Sequence, residues 1–311
     1  MTIPQFLTPN TVYGVHLVFK FCESSTFSAT PTYLNLKYRN GSETLHAYFA
    51  TWRDDDWMMI ELCRFLYHIE DDITFKFLLE SFSPHSSKDG AIYVEGIEFR
   101  AIDKVKHENS EKPEQVQKVQ TNDEEILNGY INYEDDEKLF LASEVNEKKQ
   151  LMLPAKAILC DVSDVKLFTS KASANSRFPE VIELLPQQIF HINCRIESHM
   201  LSQDTEYVCY LVFKISEESH GLQCPVKVRD LLHPENKKAE FIYFISPSPW
   251  NLHDITRVPE QREDGWMEVS VGRFNSTRDL QGDCALVNLK FTSYEGPMSG
   301  VILCGLEFRP M

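Results

Sequence analysis

The sequence predicts an all-β chain: two tandem jelly-roll-like β-sandwich modules, the first lacking its N-terminal strands. In "WMEVSVGRF", Met267, Val269 and Val271 share one face while Glu268 and Ser270 share the other, the period of two of a half-buried strand. Few segments show convincing helical periodicity. Three phrases also recur in one order. "LTPNTVYGVHLVFKF" answers to "LSQDTEYVCYLVFKI", "WRDDDWMMIELCRF" to "REDGWMEVSVGRF", and "AIYVEGIEFRAI" to "GVILCGLEFRPM". Thr11 then pairs with Thr205, Tyr13 with Tyr207, Phe19 with Phe213, Trp57 with Trp266, Gly96 with Gly305 and Arg100 with Arg309. A period of that length is too long for a solenoid repeat and fits whole duplicated domains.

Along the chain, residues 1–102 form the first module, which starts almost directly on "FLTPNTVY". "NGS" at Asn40 is a sequon, but it reads better as a tight hairpin turn. The closing strands change phase at a glycine: Val301 and Leu303 share one face, Leu306 and Phe308 the opposite one, and the same slip surrounds Gly96. An inserted residue would restore a common buried face, so a β-bulge is predicted at Gly96 and at Gly305. Residues 103–150, rich in Glu, Lys, Gln and Asn, read as an acidic, solvated linker, in which "EEILNGYINYEDDEKLFL" has enough apolar residues to dock as a short helix or strand. Residues 151–311 form the complete module. Its lead-in, Leu153 to Ser198, includes the alternating "VIELLPQQIFHINCRIES" and has no counterpart in the first copy. "VCYLVFKI" is apolar on both faces, as a central strand would be. A first module without its opening strands is expected to leave an unpaired strand edge and an uncovered apolar face, both of which invite another chain.

Composition narrows the function. The 311 residues, 42% hydrophobic and 25% charged, suit two domains of ordinary size. A formal net charge of -16 repels phosphate backbones, so no nucleic-acid partner is expected. No run approaches the roughly 18 apolar residues of a membrane helix, and "MTIPQFLTPN" lacks a secretory pattern, so neither a membrane partner nor glycosylation at Asn40 or Asn275 is expected. Eight cysteines scattered singly, without a C-x-x-C pair, suit buried thiols in a reducing compartment. The absence of H-E-x-x-H, G-x-S-x-G and zinc-type spacings predicts no enzyme, no metal and no cofactor. The run Asp54, Asp55, Asp56 reads as a solvated turn.

The order "RFPEVIELL", "INCRIES", "YLVFK", "REDGWMEVSVGRF", "GVILCGLEFRPM" resembles the phloem protein 2 family, a plant lectin-type module also called Nictaba-like. The likeness covers Leu153 to Met311 and the later two-thirds of a module at about residues 6–102. It is most similar to plant chains in which a protein-kinase-like region precedes two such modules. The chain contains no glycine-rich phosphate loop, His-Arg-Asp run or Asp-Phe-Gly run. Either the first module lost its opening strands or the chain is a fragment of a longer product. The resemblance implies a jelly-roll-like sandwich, cytoplasmic or nuclear residence, and binding of N-acetylglucosamine oligomers or the N-glycan cores of glycoproteins.

Sugar recognition needs an aromatic face for the pyranose ring, plus carboxylates or amides for its hydroxyls. Phe168 stands where one of the lectin tryptophans would fall, the stretch for a second aromatic cluster is missing, and Arg273 or Arg64 replaces a carboxylate that follows the Asp-Gly-Trp strand. The candidate carbohydrate-binding residues are Phe168, Trp250, Asn251, His253 and Trp266, of which Trp250, Asn251 and His253 share the loop "SPSPWNLHD". Trp266 and Trp57 read as stacking platforms or as caps packed under a loop, the commoner fate of large aromatics. Two functions result: an intracellular glycan-binding module, or a degenerate lectin scaffold serving as a protein-interaction or regulatory module beside a kinase-like partner, with the truncated first module as its contact.

Overall fold

The computed structural model describes residues 7–22, 32–54, 57–68, 75–84, 92–102, 141–145, 148–159, 167–233, 240–246 and 256–311. They are almost wholly β, in tandem sandwich-type modules that fall into two compact units.

The first unit is one antiparallel sheet of β1 (Thr11–Phe21), β2 (Thr32–Asn40), β3 (Glu43–Asp54), β4 (Trp57–Tyr67), β5 (Phe77–Pro84) and β6 (Ile92–Ala101), in the order β5-β2-β3-β4-β1-β6. In β2, Thr32, Leu34, Leu36 and Tyr38 are buried while the residues between them are not, which turns one face inward. β2 passes to β3 through Gly41 and Ser42, with Asn40 opposite Glu43 and Gly41 at φ 64°, so "NGS" is a hairpin turn. The sheet curls until its far strands meet: Phe19 of β1 lies edge-on to Phe82 of β5, ring centroids 5.0 Å apart. The Tyr38 hydroxyl donates across the interior to the Leu62 carbonyl.

The second unit contains β7 (Leu141–Val145), β8 (Lys148–Pro154), α1 (Ala155–Ile158), β9 (Phe168–Ala172), β10 (Glu180–Leu184), β11 (Ile189–Glu197), β12 (Glu206–His220), β13 (Val226–Asp230) and β14 (Glu240–Ile242). It continues with β15 (Thr256–Arg257), β16 (Glu260–Gln261), β17 (Met267–Asn275), β18 (Leu280–Gln281), β19 (Cys284–Ser293) and β20 (Ser299–Pro310). One sheet runs β16-β17-β12-β20-β10-β9, with β8 also on β20 and β7 on β8; the other runs β11-β19-β13-β14-β15, with β18 beside β19. Leu211, Phe213, Leu303 and Phe308 of the first sheet share a core with Phe190, Ile192 and Phe291 of the second. Phe190 stacks on Phe291 at 4.4 Å and Phe213 meets Phe244 edge-on at 5.2 Å. Each such side chain contributes about 1.5–3 kcal/mol by leaving water. β7 and the start of β8 fall inside the stretch expected as linker, because Leu141–Val145 pairs residue by residue with Lys148–Met152 in an antiparallel ladder.

The sequence repeat is also a backbone repeat. Val18 faces Gly96 and Phe19 faces Val94, leaving Glu95 as the extra residue of a bulge; Val212 faces Gly305 and Phe213 faces Leu303, leaving Cys304 extra. A second bulge recurs at Leu62 and at Val271. Ahead of each copy stands one left-handed residue, Asn10 (φ 56°) or Asp204 (φ 47°). The Tyr13 hydroxyl accepts the Thr8 N–H at 2.9 Å, as the Tyr207 hydroxyl accepts that of Ser202 at 2.9 Å. The two glycines differ. A Cβ at Gly305 would collide with the Leu153 carbonyl oxygen of β8, whereas a Cβ at Gly96 would meet nothing.

Candidate functional site

Of the residues chosen from sequence, Trp250, Asn251 and His253 lie outside the described residues. Phe168 sits on the outer strand β9 and packs half-buried against the main core. Trp266 is 3% exposed in a smaller cluster with Met152, Phe178, Val181, Val212 and Cys304, on the opposite face of the same sheet. The structure therefore does not bring Phe168 and Trp266 together. The Trp266 indole N–H donates to the Asn175 carbonyl at 2.9 Å, and the Lys214 ammonium lies 4.5 Å from the ring centroid. One face of the ring is thus occupied by a cation and its edge by a backbone acceptor.

Beside Trp266 lies an ionic cluster that the sequence reading did not single out. The turn Arg262–Gly265, with Gly265 at φ 76°, brings Arg262 back under the sheet. Its guanidinium donates to Glu268 at 2.6 Å and Glu307 at 2.5 Å. Arg309 donates to Glu268 at 2.7 Å and Glu307 at 2.6 Å, and lies 4.4 Å over the Tyr210 ring. Gln150 of β8 donates its amide to Glu307 at 2.5 Å. Glu307 is only 1% exposed. Burial alone would push its carboxyl up, but the hydrogen bond from Arg262 and the charges of Arg309 and Arg262 outweigh that and hold it below the ordinary carboxylate range. Burial opposes the charge on Arg309 too, yet the bond to Glu268 and the charge of Glu307 raise it further.

The first copy repeats the trio. Arg53 lies 3.1 Å from Glu98, and Arg100 donates to Glu98 at 2.6 Å; Arg53 also binds Glu95. Lys20 lies 4.8 Å over Trp57, as Lys214 does over Trp266. Glu98, however, has a side chain 30% exposed. The signal for these residues was the Arg before each tryptophan phrase and the Glu-Phe-Arg ending of each copy, letters that recur together. Single-residue motif searching passes over them.

In the second unit a cleft of about 500 Å3 opens between the sheets, lined by Cys209, Arg229, Asp230, His233, Arg257 and Arg273 among others. Arg257 is tied to Glu240 at 2.7 Å, and His233 to Asp230 at 2.8 Å. Its one aromatic, Phe274, is buried between Tyr207 and Phe308, so this cleft offers no ring to a sugar. In the first unit an apolar groove of about 420 Å3 is lined by Leu17, Leu62, Phe75, Phe77, Ile97 and Phe99.

Burial pushes the Cys63 thiol up to about 12 and raises those of Cys209, Cys224 and Cys304, so none is a ready thiolate at neutral pH. Among the described residues no three His, Cys, Asp or Glu side chains converge to hold a metal ion, and no helix is long and apolar enough to cross a membrane.

A family model described as "Phloem protein 2" matches residues 2–101 and 148–310. The chain is similar to F-box protein At2g02240 of Arabidopsis thaliana, 34% identical over 184 residues, which covers 57% of this chain and 56% of that protein. It is also similar to Putative F-box protein PP2-B2 of Arabidopsis thaliana, 32% identical over 194 residues, or 60% of this chain and 61% of that one. The chain thus spans 56–61% of the length of these curated relatives. Among solved structures it aligns with the ANX1 ectodomain from Arabidopsis thaliana at a TM-score of 0.30 and 12% identity, over 100% of this chain and 80% of that one, a level that says nothing of function.

Proposed function

The chain belongs to the phloem protein 2 family, and from that premise we propose that it works as a protein-recognition module of an adaptor, with the first unit as its contact surface. The module is non-catalytic and β-sandwich in kind, related to the F-box proteins that share its family domain. The observation that carries the proposal is the apolar groove of the first unit, open among the described residues, with Leu79 at its rim 41% exposed. Contiguous exposed apolar surface on a folded domain marks an interaction site. Glycan binding, the other function the resemblance implied, finds less support. Trp266 has its ring edge and one face engaged, and Phe168 is half-buried in the core. The cytoplasm or nucleus is the setting we assign to this activity, and a kinase-like chain remains the partner class implied by the resemblance.

The test is to screen the full chain against a glycan array and a displayed library of extended peptides, followed by calorimetry. We expect saturable binding to peptides and no saturable heat with chitin oligosaccharides or N-glycan cores. Saturable sugar heat that Phe168→Ala or Trp250→Ala abolishes, with no peptide enriched, would overturn the proposal.

A further inference from the structure

The second copy displays what the first copy's edge is shaped to receive. On β20, the strand β8 sets Pro154 opposite Gly305, Leu153 opposite Leu306, Met152 opposite Glu307 and Leu151 opposite Phe308. Leu151 and Leu153 enter the core beside Leu211, Leu306 and Phe308, and Gln150 donates to Glu307. The Leu153 carbonyl fits against Gly305 only because that residue has no Cβ.

Every part of this seat recurs in the first copy. The counterparts of Leu211, Val271, Leu306 and Phe308 are Leu17, Leu62, Ile97 and Phe99, and these four line the open groove. Gly96 stands at the same bulge with free space where its Cβ would be. Glu98, in the place of Glu307, is paired with Arg53 and Arg100 and has a side chain 30% exposed against the enclosure of Glu307. Among the described residues β6 pairs with β1 alone. An edge strand of this kind accepts an added strand through its backbone groups, while side-chain pockets select the sequence.

We propose that β6 of the first unit is a docking edge for an extended segment of another polypeptide with the chemistry of β8. Such a segment carries two aliphatic side chains at alternate positions for the groove and a side-chain donor just before them for Glu98. The chemistry of the occupant is that of the strand the second copy seats on the equivalent edge: Gln150 donates to Glu307 while Leu151 and Leu153 enter the core beside it. The inference deepens the protein-recognition reading and rests on it.

The probe is a fluorescently labelled peptide KKQLMLPA, the sequence of Lys148 to Ala155, added to the full chain and followed by anisotropy and by hydrogen exchange. The expected result is saturable binding with new protection of those amides of Gly96 to Phe99 that face away from β1. Gly96→Ala should lower the affinity at least tenfold without lowering the unfolding midpoint, since its new methyl group meets only the incoming strand. Absence of saturable binding, or binding indifferent to Gly96→Ala, would overturn the seat. So would protection of the outward-facing amides of this stretch before any peptide is added: in a monomer it would assign the edge to the chain's own segment, and in a self-associated species to a second copy. A failed peptide together with a silent glycan array removes only this seat. Saturable sugar binding with no peptide enriched removes the recognition reading.

Discussion

The two copies hold the same arginine–glutamate–arginine trio in different solvents. In the second unit, Glu307 between Arg262 and Arg309 is enclosed beneath β8; in the first, Glu98 between Arg53 and Arg100 faces water. Covering strands make the difference. Leu303 is fully buried where Val94, its counterpart, is about half exposed, because β10 and β8 close over β20. Identical letters therefore carry unequal energetic weight: an exposed ion pair contributes about 0–1 kcal/mol, whereas removing one partner of a buried pair costs about 3–5 kcal/mol.

The contrast between the copies should show at this carboxylate. Glu307→Gln should destabilise the second unit by about 1–3 kcal/mol, since Arg262 and Arg309 keep Glu268 but lose their second carboxylate, while Glu98→Gln should cost the first under about 1 kcal/mol. Denaturant titration read by hydrogen exchange at β20 and β6 separates the two; equal effects would mean that burial does not set the weight of the trio. Trp266→Ala should remove about 3–5 kcal/mol as a core aromatic truncation. Trp57→Ala, at a half-buried site, should remove less than half as much, and a second unit of native stability after Trp266→Ala would return that ring to the list of free platforms.

Gly305→Ala, which forces Leu153 away, should cost about 1–3 kcal/mol. Gly96→Ala should be neutral or stabilising by up to about 1 kcal/mol, since it meets no atom and restricts the unfolded chain. Thermal melts of the two variants test the pair directly.

Acid should act last and differently on each unit. Burial lowers the His16 pKa from 6.5, so the stability this neutral imidazole gives the first unit is present above 6.5 and is lost as pH falls from there through its folded value. His16 is packed against Glu61, with Glu98 and Arg100 also acting on it, and Glu61 works against the burial. Glu307 is held below 4.5, so its contribution to the second unit is present above 4.5 and is lost as pH falls through its folded value. Exchange at β1 should rise at a higher pH than exchange at β20. The reverse order would mean that His16 is protonated in the folded unit.

Much of the fold was legible. Period-two alternation marked β17, and the phase slip at a repeated glycine located both bulges, because a one-residue insertion inverts every later side chain. The hairpin at Asn40 followed from its turn chemistry. The candidate site was less legible. Aromatic rings were sought as sugar platforms, but whether a ring is free depends on its neighbours: Trp266 is closed by Asn175, distant in sequence, and by Lys214 on an adjacent strand. The trio went unnoticed because Arg262 and Glu307 are separated by 45 residues and meet only when β17 and β20 flank β12.

The sequence by itself determined the all-β class, the duplication, and the bulge beside the glycine of each closing strand, since backbone periodicity and turn chemistry are local. Tertiary structure alone decided which copy of each repeated residue is enclosed. β8 lies over Gly305 and seals Glu307 from water, while Gly96 and Glu98 stand open among the described residues. Burial is a property of what packs on a strand, and that partner is written elsewhere in the chain.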